Sequence, residues 1–510
     1  MASMDGELGR WGAIIGELER RRGFSRAMGG AERLAKHHAA GKLDARARID
    51  ALFDPGSFVE IGGLAANLSE AGEAPAPADG LIAGFGTVDG RTVLAAAEDF
   101  TTLAGSIGDA GAAKRYRLAE LAAQERVPLV FMLEGAGHRL TNAHAGRSPN
   151  DLQALARLSG LVPIVCLVMG PSAGHGALTA PLADFVVMTG AGALFTAGPP
   201  LVKGAIGEVV TKEALGGPDV HVVQSGVAHN LAKDDAEAIA MARRYLSHFP
   251  SNAWEKAAPR LPGDDQGPRL LDGILQLIDP DPRIPFDMRV LLGMVVDQDS
   301  LFEIQPRYGA AIVTALGRLG GQSVAFVANN PASAAGAVDD AAARKAAHFI
   351  EVAGAFHLPV IFLTDNPGVM PGTAAERAGT LRSAARMFVA QHRLQSPKIH
   401  VTLRKAFGFG SSLMAMNPFD GQSLSLSFPA ITLGAMPAES GSAAAKLDEE
   451  TRARIRAEQA GGAFHLADKL GFDDVIDPRE LRNALLSGLR LSAARGQGDA
   501  APVQRPGIAP

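Results

Sequence analysis

Two short glycine turns are the residues of this sequence best suited to chemistry. Gly174-His-Gly176 and Gly408-Phe-Gly410 each end an apolar run of strand length. Helices are predicted to follow, over residues 174–184 and 408–416. Amides at the start of a helix have no partner within it and carry partial positive charge, so they attract an oxyanion. The structural alternative is that the glycines only permit a tight turn between strand and helix.

Titratable side chains flank the first turn. His175 lies in the turn and His138 follows a predicted strand, and imidazole changes its charge near neutral pH. A histidine in a tight turn more often bonds a neighbouring carbonyl, and Glu134 at the strand end is expected to accept from nearby amides. Cys166 lies in an apolar strand without a basic neighbour, which predicts a buried, inert thiol.

The sequence does not predict a nucleotide site at these turns. The chain has no Gly-x4-Gly-Lys-Ser/Thr element, and Gly408-Phe-Gly410 lacks the third glycine of the dinucleotide fingerprint.

The turns occupy matching positions in an internal repeat. One constant distance along the chain, the repeat offset, separates three pairs of identical residues, namely Gly90 and Gly321, Lys114 and Lys345, and Pro128 and Pro359. Nearly the same distance separates the two turns, from Gly174 to Gly408. The sequence therefore predicts a tandem duplication of one domain.

Each half alternates predicted strands with alanine-rich helices. Helix 109–126 precedes strand 128–134 in the first half, and helix 340–356 precedes strand 360–365 in the second. This alternation predicts α/β layers with right-handed crossovers. An exposed helical arm is predicted before them, because residues 8–50 are rich in Arg, Ala, Leu and Glu.

The amino-acid composition of the chain argues against several classes of protein function. The 510 residues carry a net charge of -5 and a single cysteine, which excludes disulfide scaffolds and cysteine-ligated zinc or iron-sulfur sites. We expect no metal in this subunit. The first ten residues do not form a secretory signal, and the apolar runs are shorter than a membrane helix requires. Mild acidity and few aromatic residues argue against a nucleic-acid surface. We expect a cytoplasmic protein with a small-molecule or protein partner.

Five motifs occur in a recognisable order along the chain. They are Gly41–Asp50 followed by Asp54–Glu60, Ser225–His229, Phe302–Pro306, Asp365–Thr373 and Arg404–Gly408. In this order the chain resembles the β subunit, or carboxyltransferase component, of the biotin-dependent acyl-CoA carboxylases. The similarity extends over about residues 30–475.

The resemblance implies an α/β fold made of two crotonase-like domains, each a ββα spiral. It divides the chain into a helical arm (1–50), an acyl-CoA domain (51–262), a carboxybiotin domain (269–492) and a mobile tail (493–510). The stretches rich in proline and glycine around residues 261–268 and 279–285 are the expected linker.

The resemblance also implies a reaction. A carboxyl group passes from carboxybiotin to the α-carbon of an acyl-CoA, and one backbone oxyanion hole in each half stabilises the negative charge that develops. By motif, the thioester hole falls on Gly174 and His175, and the biotin hole falls on Phe409 and Gly410. No protein base is required.

Further binding residues follow from the same comparison of motifs. On the acyl-CoA side they are Lys42, Arg46, Gly105, Gly135, Ala136, Gly137 and Gly176; on the biotin side they are Gly368, Gly372, Gly408, Phe409 and Gly410. The family usually has Gly-Gly-Ala at both turns, so His175 and Phe409 are departures that place side chains beside the substrates.

Partners are implied as well. The nearest string to a biotinylation motif, Met414–Asn417, has no lysine to carry biotin, and the duplicated halves leave no room for a nucleotide domain. We therefore expect a separate biotin carboxylase and a biotin carboxyl carrier. The resemblance further implies a homohexamer whose active sites combine the first domain of one subunit with the second domain of another.

Three alternatives stay open at this point. A biotin-dependent acyl-CoA decarboxylase subunit shares the folds and runs the transfer in reverse. A crotonase-type hydratase or hydrolase would use only the thioester hole and would need positioned carboxylates, of which only Glu134 is apparent. A noncatalytic scaffold subunit is suggested by the altered turns.

Overall fold

The computed structural model describes residue 9 and residues 11–66, 75–139, 150–259, 263, 265–496, 500–503 and 508. The chain divides into two compact units, residues 1–244 and 245–510. The division precedes the predicted boundary at 262, because Tyr245 packs on Phe249, which packs on Phe356 of the second unit, with ring centroids 4.6 and 5.6 Å apart. The predicted linker and tail fall partly outside the described residues.

The first unit contains an eight-stranded sheet. Its strands are β1 (Val59–Glu60), β2 (Leu81–Val88), β3 (Arg91–Glu98), β4 (Leu129–Gly135), β5 (Ile164–Ala173), β6 (Phe185–Thr189), β7 (Ala193–Phe195) and β8 (Asn230–Ala232). The order is β1-β2-β3-β4-β5-β6-β8, with β7 paired to β5. The pairs β1–β2 and β2–β3 are antiparallel and all the others are parallel.

The second unit repeats this sheet. Its strands are β9 (Phe302–Ile304), β10 (Ile312–Leu319), β11 (Gln322–Asn329), β12 (Val360–Asn366), β13 (Lys398–Phe407), β14 (Leu424–Ser427), β15 (Thr432–Gly434) and β16 (Asp474–Val475). Read from β9, the order is β9-β10-β11-β12-β13-β14-β16, with β15 paired to β13, so each strand of the first unit has a counterpart.

Helices connect the strands in both units. Before residue 250 the α-helices are Trp11–Arg26, Ala31–Ala39, Ala45–Leu52, Asp109–Glu125, Asp151–Leu158, Pro199–Ile206, Lys212–Gly216 and Asp235–Leu246. After it they are Ile274–Leu277, Met288–Val295, Asp340–Ala355, Thr373–Ala378, Thr380–His392, Gly408–Leu413, Ala438–Ala445, Glu449–Ala460, Gly462–Ala467 and Leu481–Leu491.

Burial explains where the strands form. Parallel strands covered on both faces are almost uniformly apolar, and every residue of β4 and of β12 is buried. Each unit has its own apolar core: Leu118, Leu129 and Phe131 belong to the first, and Phe326 and Ile361 to the second. The predicted α/β fold with two crotonase-like domains is confirmed.

The duplication extends to single backbone angles. Isolated bridges join Ile107 to His138 and Val338 to Val369, and the repeat offset relates both members of the second bridge to those of the first. Ala104 and Ala335, another pair related by this offset, both have φ of +54°. The two units therefore have the same backbone conformation at these positions, although the residues that form the two bridges differ.

Three sequence-based expectations for the helices differ from the structure. After the first turn the chain forms a 3₁₀-helix, Ala177–Leu182, with Pro181 inside it, because proline removes a backbone donor. After the second turn the helix Gly408–Leu413 ends before Ala415, whose φ is +62°. The helical arm is exposed only in part, since its third helix, Ala45–Leu52, buries Arg48 and Leu52.

Among the described helices, none combines the length and apolar character that a membrane crossing requires.

Candidate active site at the turns after β5 and β13

The first turn begins with Gly174 in a left-handed conformation, at φ +58°. Its N–H donates to the carbonyl oxygen of Phe195 at 2.9 Å and so extends the pairing of β5 with β7. The Gly174 amide was expected to face a thioester oxygen, but it is used by the sheet. Gly174 contributes its backbone conformation, which other residues adopt only with strain.

The next two amides of the turn are not used in this way. Within the described residues, neither the His175 N–H nor the Gly176 N–H donates a hydrogen bond. Gly176 has right-handed φ and ψ of -61° and -43° and leads into the 3₁₀-helix Ala177–Leu182. The turn therefore presents two adjacent backbone donors, of which the sequence analysis had assigned only that of His175 to the hole.

The His175 side chain binds a carboxylate rather than the carbonyl expected from sequence. Its Nε2 lies 2.5 Å from Oδ1 of Asp151, the first residue of the helix Asp151–Leu158. Arg115 Nε donates to the other oxygen, Oδ2, at 2.7 Å. Burial by itself would raise the pKa of Asp151, but the hydrogen bond from His175 and the charge of Arg115 lower it to about 2. The carboxylate is therefore charged at any pH near neutrality.

Arg115 connects this pair to the elements around the turn. It also donates to Thr179 in the 3₁₀-helix and to Glu98 Oε1 at 3.3 Å, at the end of β3. Burial raises the pKa of Glu98. Glu98 lies directly beneath the turn, because a Cβ placed on Gly176 would be 3.3 Å from its Oε1. The network therefore supports the turn from below.

A second imidazole stands beside the first. The rings of His138 and His175 are 4.5 Å apart and meet edge to face at 70°. Partial desolvation of the ring lowers the pKa of His138, and the neighbouring His175 lowers it further. His138 is exposed, whereas the His175 side chain retains 20% exposure, enough to be reached from outside.

The glycines predicted around the first turn lie at close backbone crossings. A Cβ on Gly105 would be 2.3 Å from the carbonyl oxygen of Glu134, and one on Gly135 would be 2.5 Å from that of Gly105. Gly137, at φ +81°, approaches the Ala173 carbonyl oxygen and so lies next to the turn. Ala136 is exposed. Close packing alone explains why the first three of these positions are glycines. Contact of these glycines and of Ala136 with substrate stays a prediction.

The cations predicted to meet coenzyme A have partners within the first unit. Lys42 Nζ lies 2.5 Å from Glu134 Oε1, and Arg48 Nη2 lies 2.7 Å from Glu134 Oε2. Arg46 forms a two-pronged pair with Glu60, at 2.9 and 3.1 Å. Glu134 thus accepts from cations, not from the nearby amides as expected. A role of Lys42 and Arg46 toward coenzyme A stays a prediction.

The second turn has the same backbone and a different chemistry. Gly408 has φ of +58°, the value found at Gly174. Phe409 is 56% exposed, whereas Gly410 is buried, and a Cβ there would be 2.9 Å from the backbone of Gly368. Gly372 begins the helix Thr373–Ala378 and has open space around it.

One buried donor beneath this turn has no partner among the described residues. The Asn366 side chain is fully buried, and its Oδ1 accepts from the Gly368 N–H at 2.7 Å, but its Nδ2 makes no hydrogen bond. Nδ2 would lie 3.0 Å from a Cβ on Gly410. An unpaired buried amide is costly, so this donor is a distinctive feature of the second turn that no acceptor among the described residues satisfies.

The family model of the carboxyl transferase domain matches residues 36–504 of this chain. The chain belongs to the carboxyl transferase family. Its predicted identity as a carboxyltransferase of that family, and hence as an enzyme, is confirmed.

Relatives and solved structures of the family cover almost the whole chain. The methylmalonyl-CoA carboxyltransferase 12S subunit of Propionibacterium freudenreichii subsp. shermanii is 34% identical over 95% of both chains. The methylmalonyl-CoA decarboxylase subunit alpha of Veillonella parvula is 35% identical over 93% of this chain and 95% of its own. A crystal structure of a transcarboxylase 12S hexamer with methylmalonyl-CoA and methylmalonic acid bound superimposes over 100% of both chains, with a TM-score of 0.89 and 32% identity.

The sequence analysis missed four residues of this candidate site. Glu98, Arg115, Asp151 and Asn366 are charged or polar side chains that are buried beneath the two turns. Arg115 offered a faint signal, since it is a charged residue next to Lys114 in a helix otherwise rich in alanine. Asp151 offered none beyond an acidic residue in the first turn of a helix, because its bond to His175 joins segments that only the fold brings together.

Proposed function

We propose that this protein transfers a carboxyl group between carboxybiotin, carried on a separate protein, and the α-carbon of an acyl-CoA. Two relatives named for reactions of methylmalonyl-CoA and a superimposable structure containing methylmalonyl-CoA support an acyl-CoA substrate. The observation that carries the proposal is the repeated turn. Gly174 and Gly408 directly follow the matching strands β5 and β13 and have the same φ of +58°, which supports an oxyanion-binding turn in each half.

On the acyl-CoA side, the amides of His175 and Gly176 would hold the thioester oxygen. Removing the α-proton of a thioester moves charge onto that oxygen, and fixed donors stabilise the resulting enolate. One such donor contributes on the order of 10²- to 10³-fold in rate. Two adjacent N–H groups that bind no other described residue match this requirement.

On the biotin side, the second turn fits a neutral ring with a carbonyl oxygen. Phe409 offers an exposed aromatic face, and Gly368 leaves the backbone uncovered. The Phe409 and Gly410 amides lie in the first turn of a helix, where no intrahelical acceptor exists. Carboxybiotin would supply the carboxyl group when bound, while these residues would orient its ring.

The proposal includes partners and assembly. A biotin carboxylase and a biotin carboxyl carrier would load the carboxyl group, and the chain would form a homohexamer in the cytoplasm. Support for the hexamer comes from the transcarboxylase 12S structure, which is described as a hexamer. Analytical ultracentrifugation of the purified chain would test this directly: a mass of six chains is expected, and a stable monomer would contradict it.

A direct assay tests the transfer. The purified chain is mixed with a biotin carrier that has been charged with labelled bicarbonate, and with acetyl-, propionyl- or palmitoyl-CoA. Label in an acid-stable acyl-CoA product is expected for at least one thioester. No incorporation with any of them, while the carrier remains charged, would refute the transfer.

The same assay run in reverse tests the decarboxylase alternative. That alternative is supported by the similarity to the methylmalonyl-CoA decarboxylase subunit alpha of Veillonella parvula. Labelled methylmalonyl-CoA is supplied with uncharged carrier. A transferase charges the carrier in this direction as well, so the direction served in the cell is decided by which donor supports steady turnover with the native partners.

A further inference from the structure

The His175 and Asp151 side chains form an imidazole–carboxylate pair in the turn after β5. Asp151 carries a permanent negative charge, since both of its oxygens accept from cationic or ring N–H groups. It therefore fixes the ring tautomer: Nε2 carries the hydrogen that faces Asp151, and Nδ1 has a free lone pair. Within the described chain, Nδ1 has no hydrogen-bond partner.

The duplicated half shows that folding does not require this pair. At the corresponding positions Glu98 becomes Asn329, Arg115 becomes Ala346, His138 becomes Val369 and His175 becomes Phe409. The second half nevertheless builds the same sheet order and the same φ at the glycine of its turn. The network is therefore an addition to the first half alone, and it needs another explanation.

We propose that His175 is a catalytic base for the acyl-CoA, with Asp151 as its positioning residue. The Nδ1 atom takes a proton from the α-carbon as the C–H bond breaks, and the electron pair moves to the thioester oxygen, which faces the His175 and Gly176 amides. The reverse step returns a proton from Nδ1 to the carbon. This inference rests on the proposed function, because it places the thioester oxygen at the first turn.

The consequence is proton exchange without biotin. If the base belongs to the protein, the enolate forms and collapses with no carboxyl donor present. In a mechanism without a protein base, the α-protons stay in place until carboxybiotin is supplied. Exchange of the α-protons in D₂O therefore separates the two mechanisms.

The charged groups around the His175 ring come from four elements. Asp151 faces it from its helix, Arg115 and Asp109 lie on the helix Asp109–Glu125, and Glu98 ends β3. His138 lies against the ring from the segment after β4. Only the imidazoles ordinarily change charge near neutrality, so the exchange rate should rise between about pH 5 and pH 8 and then level off.

The experiment uses the full-length purified chain in D₂O with acetyl-, propionyl- or palmitoyl-CoA and no biotin carrier, bicarbonate or nucleotide. Mass spectrometry follows deuterium at the α-carbon. Exchange above the buffer rate is expected, with the stated dependence on pH. The pH profile of the wild-type chain tests the inference even if a variant fails to fold.

Two matched variants locate the base. His175→Gln keeps an N–H donor toward Asp151 but cannot take up a proton, and it should lower exchange by ~10²- to 10⁴-fold. His392→Gln removes another imidazole that faces a carboxylate, with Nδ1 3.7 Å from Asp420 Oδ1, but this one is 70% exposed and lies in the second unit. It should exchange like the wild type.

The outcomes discriminate between the inference and the proposed function. Exchange that depends on His175 and on pH supports the base. Carboxyl transfer without any biotin-free exchange, exchange that survives His175→Gln, or a flat pH profile overturns the base and leaves the proposed function intact. A chain that shows neither transfer nor exchange with any thioester refutes both.

Discussion

At the scale of the residue, Gly176 allows the role of a single backbone donor to be measured. Its φ of -61° matches the angle that proline imposes, so Gly176→Pro removes the N–H while preserving this dihedral. Gly176→Ala adds a similar Cβ, 3.3 Å from Glu98 Oε1, but keeps the N–H. We expect transfer by the proline variant to be ~10²-fold slower than by the alanine variant. Equal rates in the carboxyl-transfer assay would remove the Gly176 amide from the oxyanion hole.

A second prediction at the scale of the residue concerns the contribution of Glu134 to the stability of the folded protein. Its carboxylate neutralises Lys42 and Arg48, whose side chains are 17% and 1% exposed. Burial would raise the pKa of Glu134, but the two cations outweigh it and lower the pKa. Glu134→Gln leaves both cations without this partner, which should cost about 3 kcal/mol and lower the melting temperature.

The control for this change is Glu120→Gln, which breaks an ion pair with Arg117 whose side chains are both 49% exposed. Exposed pairs contribute at most about 1 kcal/mol. Scanning fluorimetry of both variants provides the comparison, and a melting temperature of the Glu134 variant no lower than that of the control would contradict the prediction.

At the scale of the element, the bulge between β4 and β5 positions the site. Regular pairing stops after Leu133 and resumes at Gly135, which pairs with Ser172, so residues 169–171 of β5 lie opposite Glu134 alone. A Cβ on Gly170 would be 2.4 Å from the Glu134 carboxyl group, which Lys42 and Arg48 hold in place. We expect Gly170→Ala to cost about 1–3 kcal/mol through this overlap.

Gly204→Ala is the matched control, because a Cβ there has nothing within 4 Å and the residue lies in the helix Pro199–Ile206. It should be neutral or stabilise the protein by up to about 1 kcal/mol. A thermal shift equal in both variants would show that the bulge tolerates a side chain.

The bulge also marks the limit of what the sequence could predict. Strand 128–134 was predicted and β4 spans Leu129–Gly135, because an apolar run bounded by proline and glycine is a local signal. Three residues of β5 lie opposite Glu134 alone, and this irregular pairing depends on how the two strands align. The cations that pair with the Glu134 carboxylate come from the helical arm before residue 50. Local patterns carry no information of that kind, so the turns were predicted and the networks beneath them were not.

At the scale of the whole molecule, the repeat separates what the fold requires from what the chemistry requires. Lys114 and Lys345 correspond, and both are buried and donate to backbone carbonyls, to Ala78 and Leu81 in one case and to Gln305 in the other. Features that both units share in this way are required by the fold, and we call them the frame. Features present once, such as Asp151 with His175, are candidates for the function of one unit.

This separation predicts how the molecule opens. If the frame determines stability, matching strands should exchange their amide hydrogens in the same order in both units. The central strands β4 and β12 have hydrogen-bonded neighbours on both sides and are fully buried, so their amides exchange only on larger opening. The edge strands β1 and β9 pair on one side only and should exchange first in both units.

Hydrogen-exchange mass spectrometry of the full-length chain measures this order with peptides that cover each strand. The exposed helix Trp11–Arg26 serves as the fast-exchanging reference within the same sample. Slow exchange in β4 combined with fast exchange in β12 would show that the network of Arg115, Asp151 and His175, which lies in the first unit, stabilises its sheet. In that case the pair of Asp151 and His175 would belong to the frame and would not be a candidate for the function of the first unit alone.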